Sequence, residues 1–357
     1  MRAFICENCG QLLFFENSLC LRCSARLGFV PSRLDIVGLD GPGAPTLAKC
    51  ANAGVAECNW LIESTDTGPL CRSCALTRTR PGDDDPGGLA AFAKAEAAKR
   101  RLIFQLLDLG LPIGDDLAFD LLSSRTGPVV TGHDDGVITI DLAESDDSRR
   151  ERRRAELDEP YRTMLGHFRH EIGHYYWPIL VEHAGALERG RMLFGDEQID
   201  YEGALQRHYE QGPPPDWRHR YVSAYATMHP WEDWAETFAH YLHIRDTLQT
   251  AAAFGLVIAG PEEAPDPSLF AAPAPDTAKR PFDAIIGDWL PLTYALNAVN
   301  RSMGHEDLYP FTLAPTVIEK LAFVHDRVRA ESGDLAPLGP LGPPGPLGPL
   351  GPPALGL

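Results

Sequence analysis

Gly166-His167-Phe168-Arg169-His170-Glu171-Ile172-Gly173-His174-Tyr175-Tyr176-Trp177 is the stretch whose reading decides this chain. On a helix, positions i and i+4 lie on one face a turn apart, so the imidazoles of His170 and His174 can reach a single divalent ion. Glu171, beside the first of them, stands where a carboxylate can take a proton from a water that zinc has acidified. Phe168, Ile172, Tyr175, Trp177 and Ile179 surround the histidines, which predicts a buried helix with Tyr175, Tyr176 and Trp177 packed in the core. Buried imidazoles without a metal would need other polar partners, so the spacing and the burial point the same way.

A catalytic zinc takes three protein ligands and keeps a fourth position open. The best source of the third is His229-Pro230-Trp231-Glu232-Asp233-Trp234-Ala235-Glu236-Thr237-Phe238-Ala239-His240-Tyr241. Pro230 suits a first helical turn, Trp234, Phe238 and Tyr241 form an apolar stripe, and Glu232, Glu236 and His240 form a polar one. Glu232 and Glu236 lie one turn apart, and both are open as ligands. Asp233, His240 and His243 are candidates to orient ligand imidazoles through their free N–H groups. Tyr221, Tyr225 and His229 are the nearest candidates to stabilise an oxyanion. His167 reads as a packing or orienting residue, and His183 and His208 as surface histidines.

Working outward, all eight cysteines lie before residue 75 of the 357. Cys6, Cys9, Cys20 and Cys23 form two C-x2-C pairs, each able to supply two thiolates from a tight turn to one structural zinc. Cys50, Cys58, Cys71 and Cys74 are a looser second quartet, for which two buried free cysteines beside a lone C-x2-C is the competing reading. Clustered thiols unlike a disulfide framework, and an N-terminus without a secretory signal, suggest the cytoplasm. No apolar run is long enough to span a bilayer.

The organisation that follows is a cysteine-rich segment over 1–80, a linker at 81–88, a catalytic domain over 89–331, and a Gly/Pro/Leu tail over 332–357. The tail repeats Gly-x-y five times, too few for a triple helix, and reads as a disordered polyproline-like segment. Helices are predicted at 89–109, ending at Gly110, and near 160–181, 197–210, 230–248, 284–299 and 315–330, with one strand at Val137–Leu142. The formal charge of −18 opposes binding to a polyanion, so nucleic acid is not an expected partner. The one dense basic run, Arg149, Arg150, Arg152, Arg153 and Arg154, is interleaved with acids and reads as a solvated face. Phosphate-binding loops, nucleophile elbows and dinucleotide fingerprints do not occur.

The two histidine-bearing stretches resemble the gluzincin class of zinc peptidases, in which a glutamate on a downstream helix completes the site. Glu236-Thr237-Phe238-Ala239 matches that ligand motif, so the resemblance implies Glu236 as third ligand. With the N-terminal cysteines included, residues 1 to about 330 resemble the bacterial zinc-binding metallopeptidases that carry an N-terminal zinc ribbon. This implies an α+β, mainly helical, zincin-like domain behind a small zinc-ribbon domain, with one catalytic and one or two structural zinc ions and a peptide or protein substrate. Two other readings use the same residues: a ribbon that binds protein or nucleic acid beside a structural or vestigial histidine site, and a hydrolase of a non-peptide bond.

Overall fold

The computed structural model describes residues 2–40, 47–63, 68–125, 127–145, 163–261, 267–275 and 279–333. The basic run at 149–154 and the repeats of the tail lie outside them.

The N-terminal region is built from short hairpins around cysteine turns. Strands β1 (Phe4–Ile5) and β2 (Leu12–Leu13) pair antiparallel and flank the Cys6–Cys9 turn. In that turn Gly10 donates its N–H to the Cys6 carbonyl at 2.8 Å and adopts φ +73°, which glycine tolerates without strain. Strands β3 (Leu27–Val30) and β4 (Asp35–Gly38) form a second antiparallel pair, and β5 (Ala48–Lys49) and β6 (Leu61–Ile62) a third. Phe15, Phe29 and Trp60 are buried between these hairpins.

Strand β7 (Thr77–Thr79) leads into α1 (Pro86–Asp108). Asp85 caps α1 by accepting from the Gly88 N–H, and Pro86 occupies its first turn, so the helix starts inside the stretch read as linker. Strands β8 (Ala118–Leu122), β9 (Gly132–Asp134) and β10 (Val137–Asp141) complete a sheet of order β7-β8-β10-β9. Strand β8 is parallel to both of its neighbours, and β9 is antiparallel to β10. Only β10 was expected. Ala118–Leu122 and Gly132–Asp134 lack a strong alternating pattern, and their pairing supplies what their sequence does not.

Helix α2 (Met164–Trp177) is capped by Thr163, whose side chain accepts from the Gly166 N–H. A π-helical turn over Pro178–Glu182 ends it, followed by α3 (Leu187–Phe194) and α4 (Tyr201–Gln211). Helix α5 (Pro230–Ala253) begins at Pro230, with the His229 ring accepting from the Trp231 N–H. Helices α6 (Phe282–Ser302) and α7 (Pro315–Glu331) close the domain. The chain is thus a cysteine-rich zinc-ribbon region followed by a mainly helical metallopeptidase-like domain with a small sheet.

The two regions share one core. Phe104 of α1 lies 5.2 Å from Phe15 and 5.7 Å from Phe29, ring centre to ring centre, and Arg100 of α1 donates to the Ala56 carbonyl at 3.1 Å. Deeper in, Arg169 of α2 bonds Gln105 of α1 and Asp246 of α5, while Gln105 donates to the Leu242 carbonyl. These buried polar links satisfy one another and lock α1, α2 and α5 in register.

Candidate metal centres and active site

Where α2 crosses α5 the backbones nearly touch. A Cβ on Gly173 would lie 2.9 Å from the Ala235 Cα, and the Gly173 carbonyl accepts from Trp234 Nε1 at 2.8 Å. Only a glycine permits this approach. It brings the first turn of α5 against the histidine face of α2.

There three ligand-type atoms converge. Nε2 of His170 and Nε2 of His174 are 3.2 Å apart, and Glu232 Oε2 lies 3.0 Å from the first and 3.5 Å from the second. Zinc with N and O ligands at 2.0–2.1 Å in tetrahedral array would separate them by about 3.3 Å, so the spacing fits a single ion. Glu232 Oε2 is fully buried, and its polar neighbours are the two imidazole nitrogens, as suits a ligand atom aimed at a shared centre. Its other oxygen accepts from Tyr201 Oη at 3.0 Å, which fixes the carboxylate.

Glu236, the residue expected as third ligand, stands at the other edge of the His170 ring. Glu236 Oε1 sits 2.7 Å from His170 Nδ1, on the far side of the ring, and its Oε2 accepts from Ser223 Oγ at 2.5 Å. Glu236 thus meets the Nδ1 edge of His170, and Glu232, one turn earlier, faces the point where the two Nε2 atoms converge. Both acids lie on one helical stripe, and the level at which Ala235 meets Gly173 decides between them, a fact no spacing rule contains.

Asp233, His240 and His243, the candidates to orient the imidazoles, meet other groups. Asp233 pairs with Lys320 at 2.6 Å, the His240 Nδ1 lies 2.7 Å from Tyr309 Oη, and His243 stacks on the Tyr309 ring. Of the three oxyanion candidates, His229 is spent on the α5 cap and on the Ile199 carbonyl, and Tyr221 lies under the Lys320 ammonium at 4.4 Å. Tyr225, hydrogen-bonded to Tyr201, has its ring 5.9 Å from His170. Burial, then the nearby Glu232 carboxylate, push its hydroxyl well above the ordinary phenol range, so it keeps its proton.

Electrostatically the site is built for a cation. Burial opposes charge on His170, yet Glu232 and Glu236 outweigh it and hold the ring well above its usual value. Both carboxylates are held low by the histidines against their own desolvation. A cleft of about 750 Å³ opens onto His170, Glu171, Tyr225 and Glu236. His208, read as a surface residue, lines it, whereas His183 is exposed. Tyr175, Tyr176 and Trp177 are buried as expected.

His133 and Glu144 had no signal in the sequence. The His133 ring stacks 6.4 Å from His174, brought there by β9. Glu144 follows β10, and its Oε2 meets His167 Nδ1 at 2.6 Å, while His167 Nε2 lies 3.1 Å from Glu171 Oε1.

The cysteines gather as two quartets, each with its four sulfurs within 4.8 Å of one another. Cys6 and Cys23 are 3.7 Å apart, Cys9 and Cys20 3.6 Å, and Cys58 and Cys71 3.7 Å. A tetrahedron of sulfurs 2.3 Å from zinc has edges of about 3.8 Å, and all eight thiols are free of disulfides. In the second quartet all four cysteines are buried, and backbone N–H groups of Cys71 and Cys74 donate to Cys50 and Cys71 sulfurs. Cys74 also faces Glu96 of α1, itself paired with Lys99.

These features define a class: zinc-ribbon turns joined to a helical domain with a His, His, Glu metal centre in a cleft. Residues 88–327 match the family described as "Putative zinc-binding metallo-peptidase", and residues 3–85 match a zinc-ribbon domain. The chain belongs to that metallopeptidase family. It is also 53% identical over 345 residues to uncharacterized proteins of Mycobacterium bovis and of two strains of Mycobacterium tuberculosis, covering 94% of this chain and 98% of each relative. No solved structure matches the chain at a significant level. No helix among the described residues is long and apolar enough to cross a membrane.

Proposed function

We propose that the chain is a gluzincin-like zinc peptidase in which His170, His174 and Glu232 hold the catalytic ion and Glu171 is the general base. The observation that carries this reading is the convergence of two Nε2 atoms and a buried carboxylate oxygen beside Glu171 at a cleft. Zinc bound there would acidify a water and polarise a substrate carbonyl.

The chain's own residues supply the rest. Glu171, 5% exposed at the cleft, takes the proton of the attacking water and delivers it to the leaving amine. Tyr225, kept protonated, donates to the oxyanion that forms on the carbonyl. Glu236 and Ser223 hold His170 in the orientation that presents Nε2. The two cysteine quartets hold one structural zinc each, for three ions per chain, in a reducing compartment such as the cytoplasm. The family match and the cleft support a peptide or protein substrate.

The test is a peptide library incubated with zinc-loaded wild type and with Glu171→Gln, with products read by mass spectrometry. Wild type should cleave, and Glu171→Gln should keep its zinc while losing about 10²–10⁴-fold in kcat. An inert wild type, or a Glu171→Gln variant that cleaves equally well, defeats the proposal.

A further inference from the structure

The peptidase reading uses Glu171 but leaves unexplained what holds it. Glu171 is buried on α2, and a carboxylate on a freely rotating side chain would present either oxygen in any direction. One turn earlier on the same helix, His167 places its Nε2 3.1 Å from Glu171 Oε1. The opposite ring nitrogen, Nδ1, meets Glu144 Oε2 at 2.6 Å. Glu144 belongs to the short helical turn after β10, so the sheet anchors one end of the array and α2 the other. All three side chains lie at the wall of the cleft.

From this we propose that His167, clamped by Glu144, is a positioning residue for the general base: it donates from Nε2 to Glu171 Oε1 and leaves Oε2 free to meet the attacking water. An imidazole between two carboxylates can donate to both only when both nitrogens carry protons. Although burial opposes that charge, the Glu144 and Glu171 carboxylates hold the ring at about 9, so it donates at both ends near neutrality. The clamp restricts Glu171 to one rotamer, and its effect belongs to the chemical step rather than to substrate binding. The kinetic part of this inference rests on the peptidase reading; the hydrogen-bonded array itself does not.

Two measurements separate the two. In protein labelled with ¹⁵N-histidine, His167 should show two protonated ring nitrogens at pH 7, and Glu144→Gln should abolish that signature. A neutral His167 with a bare Nε2 in the wild type overturns the proposal whether or not the protein cleaves anything. On the best substrate from the library, His167→Leu should lose about 10-fold to 100-fold in kcat with KM, zinc content and melting temperature unchanged. His167→Gln, whose amide reaches Glu171 from a similar position, should recover part of the loss. A His167→Leu variant with wild-type kcat overturns the proposal, and so does one that loses activity only because zinc is lost. If wild type cleaves nothing, the peptidase reading fails alone, and the nitrogen spectrum still decides the clamp.

Discussion

Gly173→Ala is a one-methyl perturbation that should act on a candidate metal site it never touches. The added Cβ would meet the Ala235 Cα at 2.9 Å, the Ala235 carbonyl oxygen at 3.2 Å and the Phe238 Cβ at 3.3 Å. Ordinary carbon contacts begin near 3.5 Å, so α5 must recede by about 0.6 Å at the crossing. Glu232 is carried on α5 one turn before Ala235, and metal sites tolerate ligand displacements of only about 0.2 Å. Replacing a helical glycine returns about 1 kcal/mol of backbone entropy, against an overpacking cost of about 1–3 kcal/mol. Global stability should therefore fall by no more than about 2 kcal/mol. Zinc affinity at the histidine site should fall about 10–100-fold, or about 1.4–2.7 kcal/mol. Competition against a calibrated chelator measures the affinity, and thermal unfolding of loaded and stripped protein measures stability. Affinity within twofold of wild type, together with a raised melting temperature, would refute the claim that this crossing places the third ligand.

Replacing the two glutamates in turn separates ligand from support: wild type should hold three zinc ions per chain, and Glu232→Ala should hold two. Glu236→Gln should keep three and weaken the histidine site about 10–100-fold, as elemental analysis after dialysis will show. Graded chelation should empty the centres in order, the cleft ion first and the second quartet last. All four of its cysteines are buried, whereas Cys9 and Cys23 are partly open; release of the second-quartet metal before the first would contradict this. The pH dependence of stability carries a signature of His325, which burial pushes down to about 4 while its Nδ1 faces Tyr241 Oη and its Nε2 faces the Arg280 carbonyl. Because the folded value lies below the unfolded one of about 6.5, its contribution is present above pH 6.5 and is lost as pH falls towards 4. The loss is at most about 3 kcal/mol, so in urea titrations at pH 7 and pH 5 His325→Gln should show a smaller drop than wild type; equal drops would exclude this source.

The sequence carried the parts of the site that depend on local geometry. His170, Glu171 and His174 share one helix, and their relation follows from its pitch. The C-x2-C turns likewise bring their sulfurs together by local chain geometry. What required tertiary structure was hidden. Whether Glu232 or Glu236 faces the two Nε2 atoms depends on where Gly173 meets Ala235, and Glu144 reaches His167 from the turn that follows β10. Strands β8 and β9 were missed for the same reason, since a strand with a weak pattern is recognised by its neighbours. The helix now called α1 was expected to begin at residue 89, but Asp85 and Pro86 together form its cap and first turn.

The aromatic contact between Phe15, Phe29 and Phe104 bears on the order in which the molecule is made. All eight thiols leave the ribosome before the helix that packs on them is complete, and chains fold from the N-terminus as they emerge. Ion capture by the nascent ribbon would then precede the cleft, and a cell short of zinc during synthesis would make protein whose metallopeptidase-like half lacks its supporting wall. Supplying metal to the finished chain would not repair that deficit as readily as supplying it during translation.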